Sequence, residues 1–148
     1  MKAFIKAEFG NHIPGWEDST VFMPGAGTLV LIDELLRRGV RLVLNDISIE
    51  ALNRVAKRLD DEYNDIVWLC QDIAQPIKKV IPKIDIWIDR AVLHFLTEED
   101  DITGYFKNVE SNVSAGGYAT FLLKKKHCHG LSKATLMKSG FKVMHERI

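Results

Sequence analysis

Short acidic or glycine-rich segments recur along the first two-thirds of this 148-residue sequence, each directly after an apolar run. The first is Pro-Gly-Ala-Gly at 24–27, where glycine removes the Cβ and lets a backbone approach a bound nucleotide. The second contains Asp46, about 20 residues further on, a spacing at which a carboxylate can accept from both hydroxyls of a ribose. These two segments predict a site for a nucleotide-like ligand.

Two further segments follow apolar runs in the same way. Gln-Asp-Ile at 71–73 offers the carboxylate of Asp72 to an exocyclic amine such as that of adenine. Asp-Arg at 89–90 ends the fourth apolar run, and His94 follows it as a side chain that can act as a general base. Each segment alone is also an ordinary turn or helix cap, but four in succession favour one shared site.

The elements that would position these segments alternate between strand and helix patterns, which is typical of a parallel sheet with crossover helices. The predicted strands cover residues 20–23, 41–45, 66–70, 85–88, 117–123 and 141–146. The predicted helices cover residues 29–38, 49–63, 97–112 and 131–139. We therefore predict a doubly wound, Rossmann-like α/β fold, with a mostly parallel sheet of about six strands and helices on both faces.

Helix ends carry their own signals. Gly39 predicts the end of the first helix and Gly140 the end of the last. Ser48 predicts the cap of the second helix, and Thr97 with Asp100 resembles a capping box at the start of the third.

In folds of this class a ligand binds outside the carboxyl ends of the strands, so the four segments should meet at one edge of the sheet.

Composition argues against several kinds of partner. The 20 basic and 20 acidic side chains give a formal net charge of zero, which argues against a nucleic-acid partner. No apolar run approaches the roughly 20 residues that cross a bilayer, so we expect no membrane partner and a cytoplasmic location. Cys70 and Cys128 are too few for a disulfide framework and are expected to be reduced. We expect a single domain over residues 1–148.

The segments and their order resemble those of the class I S-adenosylmethionine-dependent methyltransferases. VFMPGAG at 21–27 is similar to the first motif of that family, LNDIS at 44–48 to its ribose-binding loop and CQDI at 70–73 to its adenine-contacting loop. SAGGYATF at 114–121 is similar to the turn into its fifth strand. The segment IDIWIDRAVLHFL at 84–96 resembles one found in small bacterial methyltransferases and, more distantly, in thiopurine methyltransferases.

The resemblance implies an enzyme that transfers a methyl group from S-adenosyl-L-methionine to a small-molecule acceptor and releases S-adenosyl-L-homocysteine. It implies no metal. Ile47 and Ile73 would sandwich the adenine ring, Arg90 would orient an anionic or electron-rich acceptor, and His94 would be the general base. The implied catalytic residues are Asp89, Arg90 and His94. The implied cofactor-binding residues are Pro24, Gly25, Ala26, Gly27, Asp46, Ile47, Asp72, Ile73 and Asp89.

The sequence also departs from the family's pattern. Met23 stands where many members have an acid, which puts one contact to the cofactor's amino group in doubt. We find no clear candidate for the family's N-terminal lid or for its seventh strand, so we expect neither. Either the chain is a minimal version of the family with an open site, or a second copy completes the site as a homodimer across the exposed sheet edge, a surface on which strands can pair.

Other interpretations stay open. Arg90 could pair with Asp89 or another acid, and His94 could be a structural histidine. The segment KKKHCHG at 124–130 contains soft metal ligands, but neighbours on an extended segment point to opposite sides, so we predict a loop beside the acceptor pocket instead. The alternatives for function are a non-catalytic S-adenosylmethionine-binding or interaction module and an NAD-dependent oxidoreductase, which predicts a third glycine where Val30 stands.

Overall fold

A computed structural model of the chain describes residues 16–28, 31–59, 65–90, 92–123 and 142–147. In these ranges the strands are β1 Thr20–Pro24, β2 Arg41–Asp46, β3 Val67–Cys70, β4 Ile84–Asp89, β5 Val113–Leu123 and β6 Lys142–Arg147. The α-helices are α1 Leu31–Arg37, α2 Ile49–Leu59 and α3 Glu99–Asn112. Short 3₁₀ turns cover Trp16–Asp18, Ala26–Thr28 and Leu93–Phe95.

The strands form one sheet in the order β3-β2-β1-β4-β5-β6. All five pairings between neighbouring strands are parallel. The order reverses at β1, which lies between β2 and β4, so the topological switch point is at the end of β1. The predicted doubly wound α/β fold is confirmed.

Alternation along each strand divides the core between the two faces of the sheet. Val21 and Met23 of β1 belong to one buried cluster, which includes the apolar residues of α1 and α2. Phe22 belongs to the other cluster, which includes Tyr105 and Val109 of α3. In this second cluster the rings of Phe22 and Trp87 stack with centroids 4.0 Å apart. Both faces are therefore covered by helices, which leaves the strand ends as the place for a ligand.

Two of the predicted helix ends are confirmed and one is wrong. The Ala51 N–H donates to the Ser48 hydroxyl at 3.2 Å, and Gly39 has a φ of 78° directly after α1. Helix α3, however, begins at Glu99 and has no side-chain cap. The N-cap position is occupied by Glu98, and the Thr97 hydroxyl donates to the Glu98 carboxylate at 3.3 Å. The helix predicted over 131–139, with Gly140, lies outside the described residues.

The start of β5 also differs from the prediction. Val113 is both the C-cap of α3 and the first residue of β5, so the strand begins before the predicted residue 117. The pairing of β4 with β5 shifts register between Ile84 and Ile86, and Gly116 has a φ of 79°. Ser-Ala-Gly-Gly is therefore an irregular stretch of the strand, whereas the sequence pattern indicated a turn. Within the described part of the chain, no helix has the length and apolar character needed to cross a membrane.

Candidate functional site

The four segments singled out in the sequence follow β1 to β4, and parallel strands place their carboxyl ends at one edge. We call them the glycine loop (residues 24–28), the β2 loop (46–48), the β3 loop (71–77) and the β4 turn (92–95). The structure brings all four to the same edge of the sheet, as predicted.

The carboxylate of Asp46 organises the glycine loop. The Gly27 N–H donates to its Oδ2 at 3.1 Å and the Ser48 N–H donates to its Oδ1 at 3.0 Å. A Cβ on Gly27 would lie 2.6 Å from the Cβ of Ala51 and 2.9 Å from Asp46 Oδ2, so only glycine fits. A carboxylate has about four acceptor positions, which leaves one on each oxygen for a ligand. The sequence predicted the ligand contact but not this internal role.

Gly25 is required for two independent reasons. Its φ of 64° lies in the left-handed region that favours glycine, and an added Cβ would lie 2.5 Å from Cγ2 of Val92 in the β4 turn. Pro24 and Ala26 are buried, so their side chains pack inward. Met23, at the position where an acid was expected, is a buried core residue. The glycine loop thus offers backbone to a ligand and packs directly on the β4 turn.

The buried side-chain amide of Asn45 ties the end of β2 to β3 and to the β3 loop. Asn45 Nδ2 donates to the carbonyls of Leu69 and Gln71, at 3.0 and 2.9 Å. In return, the Gln71 N–H donates to the Asp46 carbonyl at 3.1 Å. These bonds fix the relative positions of Asp46 and the start of the β3 loop. In the sequence, Asn45 is marked by nothing except its place at a strand end.

In the β3 loop, Asp72 Oδ1 accepts the Ala74 N–H at 2.9 Å. Among the described residues none donates to Oδ2, so this oxygen can accept from a ligand. The predicted ring sandwich is wrong for Ile73, whose side chain is 4% exposed and packs in the second core cluster. The turn closed by the bond from Ala74 to Asp72 directs the side chain of Ile73 into the core. Ile47 is 73% exposed and is the one of the predicted pair that can contact a ring.

Asp89 has a structural role that the sequence did not indicate. It is 2% exposed, and its carboxylate accepts the N–H groups of Val92 and Leu93, at 2.7 and 2.9 Å. It also accepts the Tyr105 hydroxyl at 2.6 Å, and that hydroxyl accepts Trp87 Nε1–H at 2.8 Å. A buried carboxylate engaged by three protein donors holds the β4 turn in place. The sequence did not indicate this structural role, and the predicted cofactor contact and catalytic role of Asp89 stay predictions.

Tyr105 is the hub of this network. Burial, followed by the negative charge of Asp89, raises the pKa of its hydroxyl well above the ordinary value. The hydroxyl therefore stays protonated and donates to Asp89 throughout the physiological range. Nothing in the sequence linked the two residues, which are 16 positions apart.

Tyr105→Phe is expected to lower the free energy of unfolding by about 1–3 kcal/mol at neutral pH, since it leaves the buried Trp87 N–H without its acceptor. In the wild type this contribution is full below the pKa of an unfolded tyrosine, about 10, and falls as pH rises towards the higher folded value. Urea unfolding between pH 7 and about 11 should show the two proteins converging above pH 10. A difference that stays constant with pH would contradict the assignment.

Arg90 and His94 lie at the same edge and are half-buried. His94 is on the 3₁₀ turn before α3, as predicted, and its ring centroid is 4.1 Å from that of Phe95. Phe95 is 73% exposed, so this turn presents an apolar ring at the candidate site. The proposed roles of Arg90 and His94 stay predictions. The segment 124–130 is outside the described residues, within which no group of three or more metal-ligating side chains occurs.

Helix α3 contributes residues that sequence reasoning missed. Asn108 is 5% exposed, and its Nδ2 donates to the carbonyls of Ile73 and Gln75, both at 2.8 Å. A Cβ on Gly104 would lie 2.0 Å from the carbonyl oxygen of Ala74. In the sequence, these contacts could have been found from the position of a polar residue and a glycine on the face of α3 that also carries apolar side chains. The β3 loop is therefore fastened to α3 as well as to β2.

Comparison with known proteins gives likeness in structure only. No protein-family profile matches the chain, and no curated protein matches its sequence. The N-methyltransferase NodS from Bradyrhizobium japonicum, in complex with S-adenosyl-L-homocysteine, is 21% identical, with a TM-score of 0.58 over 67% of this chain and 49% of that one. An S-adenosylmethionine-dependent methyltransferase from Mesorhizobium loti is 19% identical, with a TM-score of 0.58 over 71% and 46%.

A protein from Rhodobacter sphaeroides named as a Zn-dependent alcohol dehydrogenase is also similar. It is 25% identical, with a TM-score of 0.63 over 78% of this chain and 44% of that one. The chain thus spans about half the length, or less, of each of these proteins. Together they show a fold shared with S-adenosylmethionine-dependent methyltransferases and with a protein named as an alcohol dehydrogenase.

Proposed function

We propose that this domain binds S-adenosyl-L-methionine and transfers its methyl group to a small-molecule acceptor. The observation that carries the proposal is the geometry of Asp46, which is fixed by the Gly27 and Ser48 amides at the end of β2. Asp46 lies beside the glycine loop, in which there is no room for a side chain at Gly27. That cradle fits the ribose and the methionine portion of the cofactor, and it stands at the switch point of the sheet.

Each remaining acceptor position has a matching donor on the cofactor. The second lone pairs of the two Asp46 oxygens accept the ribose hydroxyls, and Asp72 Oδ2 accepts the exocyclic amine of adenine. The exposed side chain of Ile47 covers one face of the ring. Ile73 is not part of this arrangement, because it is in the core.

The cofactor supplies the reactive methyl group and its own leaving group, so the protein's work is placement and the exclusion of water. The β4 turn is held by Asp89 and packs on the glycine loop through Val92. In this proposal His94 of the same turn accepts a proton from the acceptor. Arg90, next to Asp89 in the chain, orients an anionic or electron-rich acceptor. Phe95 adds an exposed apolar surface for the same molecule.

The second candidate is an NAD-dependent oxidoreductase, which the likeness to the protein named as an alcohol dehydrogenase favours. The glycine loop and Asp46 would serve that cofactor equally well. Against it, Val30 occupies the position of the third glycine, and the Asp72 carboxylate has a ready partner in adenine of the methyl donor. The bound S-adenosyl-L-homocysteine in NodS supports the first proposal by analogy.

Calorimetric titration with S-adenosylmethionine, S-adenosylhomocysteine and NAD separates these candidates. We expect the methyl donor and its product to bind, and NAD not to bind at millimolar concentration. Binding of NAD alone would overturn the proposal in favour of the oxidoreductase. Binding of the methyl donor without transfer of labelled methyl to any small molecule of a metabolite extract would favour a non-catalytic module.

A further inference from the structure

The amide of Asn108 is engaged entirely by the backbone of the β3 loop. Its Nδ2 donates to two carbonyls, those of Ile73 and Gln75, and its Oδ1 accepts the N–H of Ile77 at 3.2 Å. Asn108 itself is buried. An unpaired buried backbone group costs more than a hydrogen bond contributes, so no apolar side chain can replace this amide without loss. Three points of attachment define the position of the loop as well as its stability.

A second contact comes from the same face of α3, one turn earlier. The carbonyl of Ala74 lies so close to Gly104 that a Cβ there would be 2.0 Å from the carbonyl oxygen. The backbone of the helix therefore meets the backbone of the loop directly. Glycine and amide together leave the β3 loop little freedom to slide along α3.

The part of the loop that α3 holds is the part that carries Asp72. The Asp72 carboxylate accepts the Ala74 N–H at 2.9 Å, and Ile73 and Ala74 are the residues held by Asn108 and Gly104. A shift of the loop would therefore move Asp72 Oδ2 by the same amount. Because a hydrogen bond weakens steeply with distance and angle, recognition of the base depends on this placement.

We infer that Asn108 is a positioning residue for base recognition: through the β3 loop it sets where Asp72 Oδ2 meets the exocyclic amine of the cofactor's adenine. This inference rests on the proposed function. It assigns the selectivity for adenine to a residue on α3 whose side-chain nitrogen and oxygen are both bonded to the backbone of the β3 loop.

The test compares S-adenosylhomocysteine with S-inosylhomocysteine, in which a carbonyl replaces the exocyclic amine. The wild-type protein should bind the adenine compound at least about tenfold more tightly, because the other compound turns a donor to Asp72 into an acceptor. Asn108→Asp keeps the size of the side chain but points carboxylate oxygens at two carbonyls. We expect its selectivity to fall below about threefold.

Asn112→Asp is the matched control. It makes the same chemical change one turn further along α3, where the Asn112 amide donates only to the Asn108 carbonyl, at 2.7 Å. This variant should keep the wild-type selectivity. A merely structural role for Asn108 would lower stability and both affinities but leave their ratio unchanged.

The possible outcomes distinguish a failure of the proposed function from a failure of the inference about Asn108. If the wild type binds neither compound, the proposed function and the inference both fall. If it binds both equally, or if Asn108→Asp keeps the selectivity, the inference falls and the proposed function stands. Should Asn108→Asp fail to fold, amide hydrogen exchange in the wild type replaces it: saturating S-adenosylhomocysteine should slow exchange at Ala74 and Ile77. Unchanged exchange at both amides would overturn the inference.

Discussion

Asp46→Ala is expected to weaken binding of S-adenosylhomocysteine by about 100-fold or more, measured by calorimetric titration. Two effects add. The ribose hydroxyls lose both charged acceptors, and the Gly27 and Ser48 amides lose the carboxylate that fixes the glycine loop. Hydrogen bonds to a charged group contribute about 1.5–3 kcal/mol each, so two of them account for the size of the effect.

Asp65→Ala is the control for this experiment. Asp65 is an exposed acid just before β3, at the amino end of that strand and therefore at the opposite edge of the sheet from Asp46. Its removal makes the same change in net charge and should leave the affinity unchanged. If Asp46→Ala remains folded and binds with wild-type affinity, Asp46 is not part of the ligand site.

Gly104→Ala is expected to destabilise the protein by about 1–3 kcal/mol and to weaken binding of S-adenosylhomocysteine in the same variant. The added Cβ would lie 2.0 Å from the Ala74 carbonyl oxygen, a backbone atom that cannot move without moving the β3 loop. The sign of the result is informative, because alanine inside a helix is otherwise favoured over glycine by about 1 kcal/mol. Urea unfolding and calorimetry measure the two effects.

Thr103→Ala gives the reference for that comparison. Thr103 is exposed on α3 beside Gly104, so its replacement changes helix propensity without the contact to Ala74. A small gain in stability is expected, in line with the higher propensity of alanine. If Gly104→Ala also stabilises the protein, the close contact between α3 and the β3 loop does not exist.

The sequence was sufficient to predict which residues lie together where their positions follow from the order of the strands. Gly27 and Asp46 could be paired because adjacent parallel strands place their carboxyl ends side by side, and β1 and β2 are adjacent. The apolar runs gave the strands, since parallel strands buried on both faces have little polar character. The cap at Ser48 was predicted correctly, because its hydroxyl accepts the Ala51 N–H and also donates to Glu50. The cap at Thr97 was wrong because helix α3 begins at Glu99, with Glu98 and not Thr97 at the N-cap position.

The sequence was insufficient where a role depends on contacts between distant elements. Asp89 looked like a ligand because it ends a strand, but Tyr105 and the amides of the β4 turn surround it. Ile73 followed an acidic residue in the same way as Ile47 does, yet one side chain is in the core and the other is exposed. Burial of this kind is decided by the packing of α3, which no local pattern reports.

The contacts around the candidate site connect its four loops and α3 in a closed ring. The glycine loop is bonded to the β2 loop, the β2 loop to the β3 loop and the β3 loop to α3. Helix α3 is bonded to the network that holds the β4 turn, and that turn packs on the glycine loop. If the β3 loop alone were grafted onto another Rossmann-like scaffold, it would lose the hydrogen bonds that hold it in position. A graft would have to carry α3 and the end of β2 with the β3 loop, because both elements hold it.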